Sequence, residues 1–140
     1  MLELRVDNLQ VDCTSCRDDD NNVKLDCTLN IEIGIVHQGN EIKYKTQYEL
    51  VIHAENHLEA FYQGGIMDSK IESESKYFDI FQLKSVIDDI VIGAVYDQII
   101  EGNHYLDTKE AQDELRERLK ELLDYNEYNI LEVLEGDNNE

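Results

Sequence analysis

The chain contains no proline and no tryptophan, and its 140 residues include only 12 lysines and arginines against 32 aspartates and glutamates. The shortage of cations leaves a formal net charge of −20. Such a surface repels phosphates by several kT and attracts basic partners, which disfavours a protein that grips nucleic acid or anionic lipid directly. No apolar run approaches the roughly 20 residues that a membrane-spanning helix needs, and the N-terminal residues do not resemble a secretion signal. Three cysteines are an odd number, so a disulfide framework is not expected. The expected compartment is the reducing cytoplasm, with free thiols. With no internal repeat and no linker, residues 1–140 are read as one domain: strand-rich over 1–62, helical over 77–134, and ending in an acidic tail at 135–140.

Catalytic motifs are also lacking. There is no Gly-x-Ser-x-Gly elbow and no glycine loop to cradle phosphate. Asp88 and Asp89 are adjacent, and neighbours on a helix diverge by about 100°, so they do not form a working carboxylate pair. Asp18-Asp19-Asp20 lacks the glycine and terminal glutamate of a calcium loop. His53-Ala54-Glu55-Asn56-His57 is not the H-E-x-x-H arrangement and reads as the polar end of a strand. The expectation is a protein that is not an enzyme and holds no cofactor.

The stretch VDCTSCRDDDNNVKLDC, residues 11–27, contains all three cysteines. Cys13 and Cys16 have the spacing of one zinc-binding arm, but the second arm is missing. Cys27 and His37 are ten residues apart along an extended strand, roughly 30 Å, and cannot share an ion. A metal site would have to be completed by Asp18, Asp20 or another subunit. A redox pair at Cys13 and Cys16 would face an Asp-rich turn that raises thiol pKa values. The preferred reading is a strand–loop–strand corner without metal. Cys13 and Cys27 then lie on the inward registers of two strands, and Cys16 lies with Asp18, Asp19 and Asp20 in the turn.

What is present is strong alternation. In residues 23–38, Val23, Leu25, Cys27, Leu29, Ile31, Ile33 and Ile35 alternate with polar or small residues, the period of a strand with one buried face. Gly39-Asn40 suits a tight turn, and in the next run Ile42, Tyr44, Thr46, Tyr48, Leu50 and Ile52 alternate with charge. A loop at 39–40 would set Ile35 opposite Tyr44, Ile31 opposite Tyr48, Leu29 opposite Leu50 and Cys27 opposite Ile52. Residues 2–13 form a third strand whose phase flips at Asp7-Asn8, predicting a bulge. A short fourth strand is expected around Leu58–Tyr62, then a Gly64-Gly65 turn and a polar linker.

From Tyr77 the period becomes helical. Ile80, Leu83, Ile87, Ile90, Val91 and Ala94 make one face, widened by Phe81, Ile92, Val95 and Ile99, so the helix must be covered on two sides. A strand within 86–96 is the rival reading. Asp107 and Thr108 are candidate caps, with Glu110 placed to close a capping box from Asp107. The following helix buries Ala111, Leu115, Leu119, Leu122 and Leu123, and Glu114 and Arg118 are spaced to pair along it. Residues 125–134 add Tyr125, Tyr128, Ile130, Leu131, Val133 and Leu134. The fold class expected is α+β: an antiparallel sheet of three to four strands packed against two to three C-terminal helices.

The negative charge is unevenly placed, since residues 101–140 hold 13 acids and 4 bases. Solubility is the plain account of an acidic surface. The functional one is a partner-binding face formed by Glu110, Asp113, Glu114, Glu117, Glu121, Asp124 and Glu127, carboxylates at helical spacing that resemble a row of phosphates. In composition the chain is similar to DNA-mimic inhibitors, the small acidic phage proteins that block restriction or CRISPR nucleases. That resemblance implies a basic protein partner, a nuclease or nucleic-acid-binding protein, with no nucleic acid and no membrane bound directly. The leading expectation is an inhibitor of this anti-restriction or anti-CRISPR type, with an antitoxin or immunity protein as an alternative in the same class. The order of elements also looks like the SecB family of holdase chaperones, which implies an oligomer that binds unfolded chains. The prolines expected in and after the first helix of that family are absent, so no functional residue carries across. A homodimer through the apolar helix 77–101 is the expected self-association.

Overall fold

Apolar residues at every second position build three long strands: β1 (Leu2–Arg17), β2 (Val23–His37) and β3 (Asn40–His53). Two short strands follow, β4 (Leu58–Phe61) and β5 (Lys70–Glu72), both paired to the outer edge of β3. All neighbours are antiparallel. Among the described residues three helices follow, α1 (Ile80–Glu101), α2 (Lys109–Tyr125) and α3 (Glu127–Glu135). This computed structural model describes residues 2–17, 19–53, 58–61, 70–72, 80–102 and 106–135. The α+β class is as expected, and 86–96 is helix rather than strand. His57, Gly64-Gly65, Tyr77 and the tail beyond Glu135 lie outside the described residues, as does Asp18.

The β2–β3 turn differs from expectation by one position. Gln38 and Gly39 have φ angles of 52° and 80°, the positive values a two-residue hairpin turn needs at both centres, and His37 pairs with Asn40. Ile35 therefore faces Ile42, Ile31 faces Thr46, Leu29 faces Tyr48 and Cys27 faces Leu50. The partners shift by two residues, which keeps every apolar side chain on the same face. Alternation is blind to such an even shift.

In β1 the register breaks between Val6 and Asn8, so Asp7 is the extra residue of the predicted bulge. Cys16 and Arg17 remain in the strand opposite Lys24 and Val23, which corrects the placement of Cys16 in the turn. The corner has Asn21 at φ 65°, with its carbonyl accepting from Arg17 at 2.8 Å. Cys13 lies directly opposite Cys27 and is bonded to it as a disulfide, so the expectation of three free thiols is corrected and Cys16 alone is free.

The inner face of the sheet, including Leu4, Val11, Leu29, Ile33, Ile35 and Leu50, joins one core with the helices. From α1, Leu83, Ile87, Val91, Ala94, Val95 and Ile99 enter this core, whereas Phe81 is 66% exposed. Ala111, Leu115, Leu119 and Leu123 of α2 are buried, and Leu122 is half-buried. Gln112 and Arg116 donate to the Val11 and Val6 carbonyls at 3.1 and 2.7 Å, so α2 also covers part of the exposed edge of β1.

Thr108 caps α2, its hydroxyl accepting from the Ala111 N–H at 3.1 Å. Its partner three residues on is Ala111, so the expected Asp107–Glu110 box gives way to a single Thr108 cap. Nor do Glu114 and Arg118 pair along the helix. Both reach the fully buried amide of Gln98 on α1: Nε2 donates to Glu114 and Oε1 accepts from Arg118, each at 2.8 Å. Gly102 lies against this amide, where a Cβ would meet Gln98 Nε2 at 2.7 Å. Gln98→Leu removes both bonds at a part-buried junction and is expected to lower stability by about 1–3 kcal/mol. Urea unfolding should show a lower midpoint with an unchanged slope.

Candidate partner-binding surface

The face of α2 opposite its leucines carries Glu110, Asp113, Glu117 and Glu121, all exposed. The spacings of three, four and four keep them within one narrow stripe about 16 Å long. The remaining candidates are dispersed. Glu114 turns toward Gln98, Asp124 is held by Lys120 at 2.6 Å, and Glu127 belongs to the first turn of α3. Asn126 separates the two helices, its N–H and side chain both bonding the Leu122 carbonyl.

Three of the four bases on α2 engage other groups, and the fourth, Lys109, is exposed at the start of the helix, one residue before Glu110. Arg116 reaches the β1 edge, Arg118 reaches Gln98 and Glu101, and Lys120 reaches Asp124. On the outer face of the sheet, by contrast, bases and acids alternate. Arg5 bonds Asp7 and Glu41, at 3.1 and 2.8 Å, and these carboxylates hold its guanidinium proton above the usual range. Lys43 and Lys45 approach Glu41 and Glu32. That face is mixed, whereas the helical layer is acidic. Tyr125, the last residue of α2, and Tyr128, in the first turn of α3, are 86% and 70% exposed. Exposed tyrosines beside carboxylates suit arginine and lysine side chains.

Behind α2 and α3 a groove of about 660 Å³ opens along the outer side of α1. Val86, Ile90 and Gly93 of α1 line it opposite Leu122 of α2 and Val133 of α3, together with the carboxylates Asp89, Asp97 and Glu132. Asp88 and Asp89 diverge as helix geometry requires: Asp89 reaches this groove, whereas Asp88 is only 6% exposed and points into the core.

There Asp88 accepts hydrogen bonds from the Tyr44 and Tyr48 hydroxyls and from the Lys84 ammonium. Burial, the neighbouring Tyr44 and the Asp88 charge push the Tyr48 hydroxyl pKa above its usual value, so it remains a donor. This cluster was not anticipated from sequence, although two signals were present. Tyr44 and Tyr48 lie four apart on one strand face, and Lys84 lies four before Asp88 on the helix. The cluster joins sheet to helix, and its groups are buried.

Cys13 and Cys16 are three apart on an extended strand and project from opposite faces. Cys16 donates to Asp26 at 3.2 Å, and that hydrogen bond, with burial second, raises its pKa and keeps it a weak nucleophile. Among the described residues no three His, Cys, Asp or Glu side chains stand together as metal ligands. No helix among the described residues is long and apolar enough to cross a membrane. No family model matches the chain, and no curated protein or solved structure is significantly similar to it.

Proposed function

We propose that the chain is a non-enzymatic acidic binding protein that occupies the basic surface of a nucleic-acid-processing protein and so inhibits it. The observation that supports this reading is the exposed carboxylate stripe Glu110, Asp113, Glu117 and Glu121, beside which three of the four cationic side chains of α2 engage other groups of the same chain. A row of fixed negative charges on a rigid helix meets a basic groove with little loss of conformational freedom, and a net charge of −20 steers the encounter. The partner class assigns the action to the cytoplasm. The stripe lies on α2, away from the Cys13–Cys27 bridge, so partner binding is expected in either redox state.

The test is affinity capture from host extract with quantitative mass spectrometry, comparing the wild type with the Glu110→Gln, Asp113→Asn, Glu117→Gln, Glu121→Gln variant. Basic partners should fall at least about tenfold in the variant, and fall again for the wild type as salt rises from about 0.1 to 0.5 M. Equal capture by both proteins at both salts would sink the reading. Phe81, Tyr96 and Ile100, exposed on α1, favour a second reading, a holdase for unfolded chains. That activity would follow apolar surface in the client and persist at high salt.

A further inference from the structure

Gly93 lies in the interior of the 22-residue helix α1, where glycine is less favourable than alanine by about 1 kcal/mol. Its φ is not positive, and a Cβ added there would meet no atom within 4 Å. Nothing in the described fold requires glycine at this position. It does line the groove, between Val86 and Ile90 on one side and Tyr96 on the other.

The groove follows α1 from Gln82 to Asp97, four turns or about 22 Å, with Leu122 and Val133 supplying the opposite wall. That length suits a helix laid along α1. A position without a side chain lets the two axes approach within the 8–10 Å of packed helices. The charged side chains lining the groove are acidic on both walls, Asp89 and Asp97 from α1 and Glu132 from α3, and among the described residues no Lys, Arg or His lines it. A second copy of this chain would bring like charge to like charge, whereas a cationic partner would not.

We propose that this groove docks an amphipathic helix of the basic partner. Its apolar face lies on Val86, Ile90, Gly93, Leu122 and Val133, and lysines or arginines on its flanks meet Asp89, Asp97 and Glu132. The proposal rests on the reading that the partner is basic, but it uses a different surface from the α2 stripe.

The probe is a fluorescent Leu/Lys peptide of about 18 residues, with leucines at positions i, i+3, i+4 and i+7, and a scrambled isomer of equal charge that cannot form an apolar face. Anisotropy titrations use the wild type, Gly93→Phe and the four-carboxylate α2 variant. Each is first shown to be folded by circular dichroism and melting, and Gly93→Ala, which should melt at or above the wild-type temperature, controls for helix effects. The helical peptide should bind the wild type at least about tenfold more tightly than its isomer, lose at least about tenfold in Gly93→Phe, and change less than about threefold in the α2 variant.

Equal binding of the two peptides, no binding to the wild type, or unchanged affinity in Gly93→Phe would overturn the docking site. If affinity falls only in the α2 variant, the basic-partner reading stands and the groove is wrong. If captured host partners are not basic while the peptide still needs Gly93, the converse holds. A wild-type dimer by analytical ultracentrifugation that dissociates in Gly93→Phe would assign the groove to a second copy and overturn the proposal.

Discussion

Asp88→Ala is expected to destabilise the fold by about 3–5 kcal/mol, the range for removing one partner of a buried ion pair. The carboxylate receives the Lys84 ammonium and both the Tyr44 and Tyr48 hydroxyls, and all four residues are at most 9% exposed. Without it, the ammonium and two phenols at the sheet–helix interface lose their shared acceptor, and α1 can no longer take water as a replacement without opening the core. The joint Lys84→Met, Asp88→Leu variant should be markedly more stable than Asp88→Ala, since removing both charges leaves no buried ion. Tyr44→Phe and Tyr48→Phe each remove one donor and should show smaller losses. Denaturant unfolding of the four variants checks the set. A loss below about 1 kcal/mol for Asp88→Ala would mean that water already reaches the carboxylate.

Reduction of the Cys13–Cys27 disulfide should lower stability by about 3 kcal/mol, the loop-entropy value for a bridge that closes roughly 15 residues. The two cysteines are 14 apart in sequence and directly opposite in the β1–β2 register, so the bridge pins the hairpin and the corner at 19–22. A thermal melt with and without reductant should differ by roughly 10 °C for a chain of this size. Thiol alkylation under denaturing conditions provides the control: one thiol per oxidised chain, from Cys16, and three per reduced chain. An unchanged melt after verified reduction would contradict the prediction. Capture of the basic partner should be the same in both redox states, because the α2 stripe lies on another element.

Much of this architecture is legible in the sequence because period-two and helical patterns report which side chains face the core. The phase flip in β1 located the bulge, since Leu4 and Leu9 reach one core only if Asp7 is extra. Other features depended on information that patterns do not hold. The Gln38-Gly39 turn differs from the expected one by an even shift, and both keep Leu29 and Ile33 inward. The disulfide required the β1–β2 register, which joins two strands through an irregular corner. Gln98 and Asp88 look like ordinary polar residues on a greasy helix, because their partners come from α2 and from β3. Of the seven carboxylates that spacing grouped, Glu110, Asp113, Glu117 and Glu121 lie exposed on one side of α2. Spacing does not reveal that Glu114 turns to Gln98 and Asp124 to Lys120, since those choices belong to the neighbouring side chains.

The groove along α1 illustrates the same limit. An apolar helix in a sequence signals only that several sides need cover. Which sides receive it depends on where α2 and α3 come to rest, and the strip with Gly93 at its centre is what they leave open.

The most direct test of the account is competition on a captured partner: a labelled duplex or guide-bound strand is prebound to that protein, and its anisotropy is followed as this chain is added. If the chain occupies the nucleic-acid surface, anisotropy falls to the free value with wild type, and the α2 variant needs at least about tenfold more protein for the same displacement. Stable anisotropy with both macromolecules bound together, or equal displacement by the variant, would contradict it.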